Sequence, residues 1–196
     1  YLPMDEFFEA EGTAPEDAYT IIPRLEDKVY TIPSDMRYNV VLINKVMLEE
    51  AGLPVPELDW TWDDYREYAE KLSHGSGADA VYGSYLDTSA DDRHRGVSSA
   101  KPDNPYFNED GSLTFGNPEF GQFLLLRYDM ENEDKISPPL ADIKALNMNY
   151  RDQFFSGKIG MMIKGTNILS DIGNEIYTQD FVTTFARQPL WNKEDP

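Results

Sequence analysis

By type and spacing, the residues that first suggest chemistry are Ser156, Gly157 and Lys158. They sit inside FFSGKIGMMIKG, from Phe154 to Gly165. Ser-Gly-Lys beside an apolar run raises a phosphate loop. There, glycine-rich backbone amides cradle phosphate and a hydroxyl after the lysine holds magnesium. The pattern fails three times. Ile159, which has no hydroxyl, follows Lys158, and Asp152 stands where the first glycine belongs. The apolar strand-like run also follows the triplet, whereas a phosphate loop follows its strand. The spacing instead predicts a helix end. Gly157 is the left-handed residue past the C-terminus, and Lys158 is a cation that complements it.

Other chemistries fail on their own residues. His74 and His94 are the only histidines, and neither lies in a zinc-binding spacing. The run His74–Ala78, HGSGA, lacks the first glycine of a nucleophile elbow and reads as a helix-ending turn. If Gly111 is set as the glycine of a calcium loop, Tyr106 and Asn117 take the places that need Asp and Glu. Asp110-Gly111 therefore predicts a tight hairpin turn. The chain has no cysteine, so disulfides and thiolate metal sites are excluded. With 36 acidic residues, carboxylate proximity in sequence does not single out a glycosidase pair. The reading therefore contains no catalytic residue, no metal and no cofactor.

Charge narrows the partners. There are 36 acids against 17 bases, a net charge of −19, spread along the 196 residues. Such a surface repels phosphate backbones and anionic headgroups, which argues against nucleic acid and membrane surfaces as partners. The 12 Tyr, 10 Phe and 3 Trp offer apolar ring faces, and those of Tyr and Trp carry polar tips, a mixture that suits sugars. Trp62, Tyr65, Phe120 and Phe123 fall at helical spacing and read as core. Tyr38, Tyr85 and Phe107 stand at strand ends or turns, where ligand contact is commoner.

The elements that must position these residues alternate. Val29–Asp35 and Tyr38–Lys45 read as strands. A helix follows, capped by Asn44 and stopped at Gly52 and Pro54. Thr61 caps the next helix, with Asp64 completing a capping box and Trp62, Tyr65, Ala69 and Leu72 forming one stripe. Val81–Asp87 reads as a strand. Asn117-Pro118 starts a helix that carries Phe120, Phe123, Leu124 and Tyr128. The apolar run ending at Gly165 is a strand, Thr166 caps a helix, and Phe181–Ala186 is a last strand. Strands alternating with helices make the class α/β. No repeat, linker or boundary interrupts residues 46–196.

Several of these stretches, in this order, resemble family 1 extracellular solute-binding proteins, the substrate-binding components of ABC importers, many of them for sugars. The family pattern is carried by Tyr30 and Pro33, Asn44-Lys45, Leu48, Ala51-Gly52-Leu53 and Thr61-Trp62-Asp63. FNEDGSLTFGNPE and FFSGKIGMMIKG continue it, as do Phe181 to Pro189, so the resemblance runs from about Leu2 to Pro189. It implies a periplasmic-binding-protein-like (type II, Venus-flytrap) fold. Residues 1–29 would trail from the first lobe, 30–45 would be hinge strands, and 46–196 would belong to the second lobe, all within one partial domain. It also implies a non-enzymatic protein that captures a small ligand, chiefly a carbohydrate, and passes it to an ABC permease. The setting would be extracellular: a surface lipoprotein anchored through an upstream cysteine, or periplasmic in a Gram-negative source.

Ligands of open α/β sheets lie beyond the carboxyl ends of strands. Those ends fall near Asp35–Tyr38, Tyr85–Asp87 and Gly165–Asn167. The expected site residues are Asp35 and Arg37 as polar clamps, Tyr38 and Tyr85 as aromatic walls, Asp87, and Thr166 and Asn167 as hydrogen-bond donors. In many sugar-binding members the strand ends in Gly-Ser/Pro-Trp, and that Trp stacks on the sugar. Here Thr166 and Asn167 follow Gly165. A glycan-acting hydrolase and a sensory module on the same fold are the alternative readings.

Overall fold

The computed structural model describes residues 1–34, 38–87, 94–101 and 105–193. It divides into two compact units, Tyr1–Tyr38 and Asn39–Pro196.

The first unit holds α1 (Asp5–Glu11), α2 (Pro15–Ala18) and a hairpin of β1 (Arg24–Leu25) and β2 (Lys28–Val29). Glu26 and Asp27 both have positive φ, which suits the primed turn that joins closely paired strands. Of the strand expected over Val29–Asp35, only Val29 is in a strand among the described residues, and Asp35 lies outside them. Pro33 has no amide to offer a ladder, and Val29 is tied instead to Met4 and Asp5, whose main chain and carboxylate bond its C=O and N–H.

The second unit is built on one mixed sheet. Its order is β4 (Tyr82–Tyr85), β5 (Ile159–Gly165), β3 (Asn39–Asn44) and β6 (Thr183–Arg187). β5 runs parallel to β4 and antiparallel to β3, and β6 is antiparallel to β3. Side chains alternate across the pleat. Val41, Ile43, Met161 and Ile163 therefore enter one core, while Leu42 and Met162 enter another.

The first core is closed by α3 (Lys45–Glu50), α4 (Trp62–Leu72) and α6 (Pro118–Tyr128). The expected local signals hold. Asn44 Oδ1 accepts from the amides of Val46 and Met47, and Thr61 and Asp64 form the reciprocal capping box. Gly52 has φ +66, with the Leu53 amide bonded back to Leu48. Trp62, Tyr65, Ala69 and Leu72 are all buried. The Trp62 ring meets Phe123 edge-on at 4.9 Å and donates to Ser99 Oγ on α5 (Arg95–Ala100). Gly83 lets α4 lie directly on β4, because a Cβ there would fall 1.8 Å from the Ala69 carbonyl oxygen.

The second core gathers Phe154 and Phe155 of α8 (Tyr150–Phe155), Ile143 of α7 (Leu140–Ala145), Ile168 and Phe181. Gly157 has φ +75, and the amides of Gly157 and Lys158 return to Phe154 and Gln153, the predicted helix ending. Lys158 sends its ammonium to the Ala78 carbonyl at 3.3 Å.

Two expectations need correction. Thr166 does not cap a helix: Gly165 holds that place, and Thr166–Asp171 is a 3-10 turn that brings Ile168 into the second core. The Asp110-Gly111 turn is not of the primed type, because only Gly111 has positive φ. Only a Phe107–Leu113 bridge flanks it. On α6, Phe123 is buried but Leu124 and Tyr128 point outward, and Arg127 takes the inward place four residues after Phe123.

Candidate functional site

Register gathers the strand ends at one edge of the sheet. β4 and β5 are parallel, so Tyr85 and Gly165 finish on the same side. Asn39 lies opposite Gly165 and Arg187 lies opposite Val40, which brings the start of β3 and the end of β6 to that side as well. The edge is polar. Lys164, whose side chain follows Met162 on the second-core face, reaches across to the Asp87 carboxylate. Its ammonium also stands 3.8 Å from the centre of the Tyr150 ring, close enough for cation–π attraction. The two side chains are 13% and 15% exposed. Burial pushes the Lys164 ammonium down to about 8 from its ordinary 10.5.

The backbone of the same corner is pinned. Arg127 donates to the carbonyls of Leu86 and Asp87 at 3.0 and 2.6 Å, and its Nε donates to Glu131 at 2.6 Å. Arg127 and Glu131 are both buried, and Glu131 accepts in turn from the Leu140 amide. A buried guanidinium needs this many acceptors to repay its lost hydration. Beside the corner, Arg151 Nε bonds Asp171 at 2.7 Å and the guanidinium lies over the Tyr150 ring.

The predicted residues are distributed unevenly. Asp87, Thr166 and Asn167 stand at this edge, with Thr166 half-buried and Asn167 exposed. Asn167 Oδ1 folds back over Gly165, where a Cβ would come within 2.7 Å of it. Tyr85 lies elsewhere than a cleft wall would. Its ring is 2% exposed in the second core and its hydroxyl donates to the Met148 carbonyl. Tyr38 closes the first unit and is 59% exposed. Asp35 and Arg37 lie outside the described residues. Lys164 and Arg127 were missed. Each carried a signal: Lys164 is a charge at the end of a buried apolar strand, and Arg127 is one helical turn past core Phe123.

No group of three or more potential metal-ligating side chains occurs among the described residues. No helix among them is long and apolar enough to cross a membrane.

The model of the bacterial extracellular solute-binding protein family matches residues 1–192. The chain belongs to this family. It is a family of binding proteins rather than enzymes, and solved structures agree with it in fold. An ABC substrate-binding protein from Listeria monocytogenes in complex with cycloalternan superposes with TM-score 0.74 at 22% identity, over 94% of this chain and 46% of that one. A sugar transporter from Rhizobium etli, in an open conformation, gives TM-score 0.72 at 22% identity, over 100% and 49%. A solute-binding protein from Agrobacterium vitis S4 with bound D-mannitol gives 0.67 at 27% identity, over 96% and 46%. This solute-binding chain thus spans about half the length of each of these structures. Among curated proteins none matches it.

Proposed function

We propose that the protein captures a small polyhydroxylated ligand, a sugar or sugar alcohol, between two lobes and delivers it to an ABC importer outside the cell. The observation that carries this reading is the polar edge. In a chain of this family, Asp87, Lys164, Thr166 and Asn167 converge from the ends of two parallel strands. A carboxylate, an ammonium, a hydroxyl and an amide supply both donors and acceptors, as a hydroxyl-rich ligand requires. Asp35, Arg37 and Tyr38, just before β3 in sequence, are kept as further proposed ligand contacts, and the ligand would favour the closed state by binding it more tightly. Tyr85 would act from behind, holding Met148 rather than stacking on the ligand. A permease partner and a lipid anchor upstream complete the proposal. The bound mannitol of the Agrobacterium relative and the cycloalternan of the Listeria one support the ligand class.

The test is a thermal-shift screen of the full-length protein against sugars, sugar alcohols, peptides and polyamines. A saturable shift with an unmodified sugar or sugar alcohol is expected. Turnover of an oligosaccharide, or a response to peptides alone, would overturn the reading.

A further inference from the structure

A cavity of about 410 Å³ opens between the C-terminal turn of α6 and α7, apart from the residues named for the ligand. Its size falls in the range of about 300–1,000 Å³ usual for small-molecule sites. The walls are apolar: Leu124 and Tyr128 from α6, and Leu140 from α7. Tyr128 is 55% exposed, so one face of its ring remains available. A π-helical turn over Asp129–Glu133 shapes one side, and such turns often accompany functional sites.

The polar lining decides what fits. Arg127 is committed to three acceptors, and both oxygens of Glu131 are committed to donors. The Asn132 side-chain amide donates to the Tyr128 carbonyl. The two charged groups, Arg127 and Glu131, are thus already committed, so apart from the rest of the Asn132 amide a ring of hydroxyls finds few partners among them. Lys144 differs. It lines the same cavity from the last turn of α7, and its ammonium makes no ion pair or hydrogen bond among the described residues. Arg127 and Glu131 cancel, which leaves one uncompensated positive charge beside apolar walls, in a chain of net charge −19.

We propose that this cavity is a second ligand site, for a small carboxylate on an apolar body. The carboxylate pairs with Lys144 and the body lies on Tyr128, between Leu124 and Leu140. Sugars and sugar alcohols lack both the charge and the apolar bulk and do not enter it.

The proposal is tested by titrating phenylacetate into the isotopically labelled chain and following backbone amides by NMR, with neutral phenylacetamide and D-glucose as parallel arms. Saturable shifts confined to 124–132 and 140–144 are expected with phenylacetate. Lys144→Glu should weaken them by about tenfold, the scale of one charge-assisted contact. Lys144→Arg should restore binding, which separates charge from folding. No saturation up to about 10 mM, a range that covers even weak complexes, would overturn the proposal. So would equal binding by phenylacetamide or by Lys144→Glu, or tighter binding of glucose at these residues.

Discussion

The two faces of the four-stranded sheet are built from the same strands but finished differently. Val41, Ile43, Met161 and Ile163 look into an aromatic core in which each polar tip is satisfied. Trp60 donates to the Arg187 carbonyl, Trp62 to Ser99, and the Tyr65 hydroxyl meets Ser84 at 2.6 Å. Leu42 and Met162 look into the second core, but the next residue on that face of β5 is Lys164. There the apolar stripe ends in an ammonium, a carboxylate and a phenol ring. One face is finished for stability. The other gives up apolar burial at its last position and so places charged groups where strand ends converge. The cost of a partly desolvated lysine is not justified by packing alone, which is why that corner is read as functional.

The comparison can be broken most severely on the aromatic face. Trp62→Ala removes the ring that meets Phe123 and Tyr65 and takes away one of the two donors to Ser99 Oγ, leaving Gln188 Nε2 as the other. A loss of about 4 kcal/mol is expected from a cavity of this kind, measured by urea unfolding. A loss under about 1 kcal/mol would mean that this face is not the main core. Gly83→Ala attacks the same face through the backbone. The new methyl collides with the Ala69 carbonyl, and α4 has to lift from β4. The expected cost is about 3 kcal/mol, the upper part of the overpacking range, and an unchanged midpoint would contradict the close approach.

The second face is sharpened by pH. An unfolded chain keeps the Lys164 proton up to about 10.5, while the folded chain releases it near 8. Between those values the unfolded state binds more protons, so unfolding free energy rises with pH across that window. For one group the slope is limited to about 1.4 kcal/mol per pH unit. Lys164→Met should flatten that segment of the profile and leave the region below pH 8 with its original shape. A variant profile still rising between pH 8 and 10.5 would assign the effect to another group.

The sequence exposed the aromatic face almost completely because helical spacing and caps are local. The Trp62–Tyr65–Ala69–Leu72 stripe, the Asn44 and Thr61 caps and the glycine endings at Gly52 and Gly157 all follow from residues within a turn of one another. The charged corner was less legible because it is made by register. Nothing near Lys164 in sequence points to Asp87, which joins it only because β4 and β5 run in parallel. Tyr85 misled for the same reason. A tyrosine at a strand end is equally suited to a cleft or a core, and the packing of Phe154 and Ile143 beyond the sheet decided for the core. Arg127 was hidden for a related reason: its inward position depends on the Leu86 and Asp87 carbonyls, which lie about forty residues away in sequence.

The central claim is that the strand-end corner binds ligand and the aromatic face supports it. Calorimetric titration of the full-length protein tests this most directly, using the sugar or sugar alcohol that gives the largest thermal shift, with wild type and Asn167→Ala compared. Asn167 is exposed, so its replacement should change stability by less than about 0.5 kcal/mol. The account predicts that affinity nonetheless falls by about tenfold, the loss of one or two hydrogen bonds to the ligand. Equal affinity in the two proteins, with Asp87→Asn also unaffected, would contradict it.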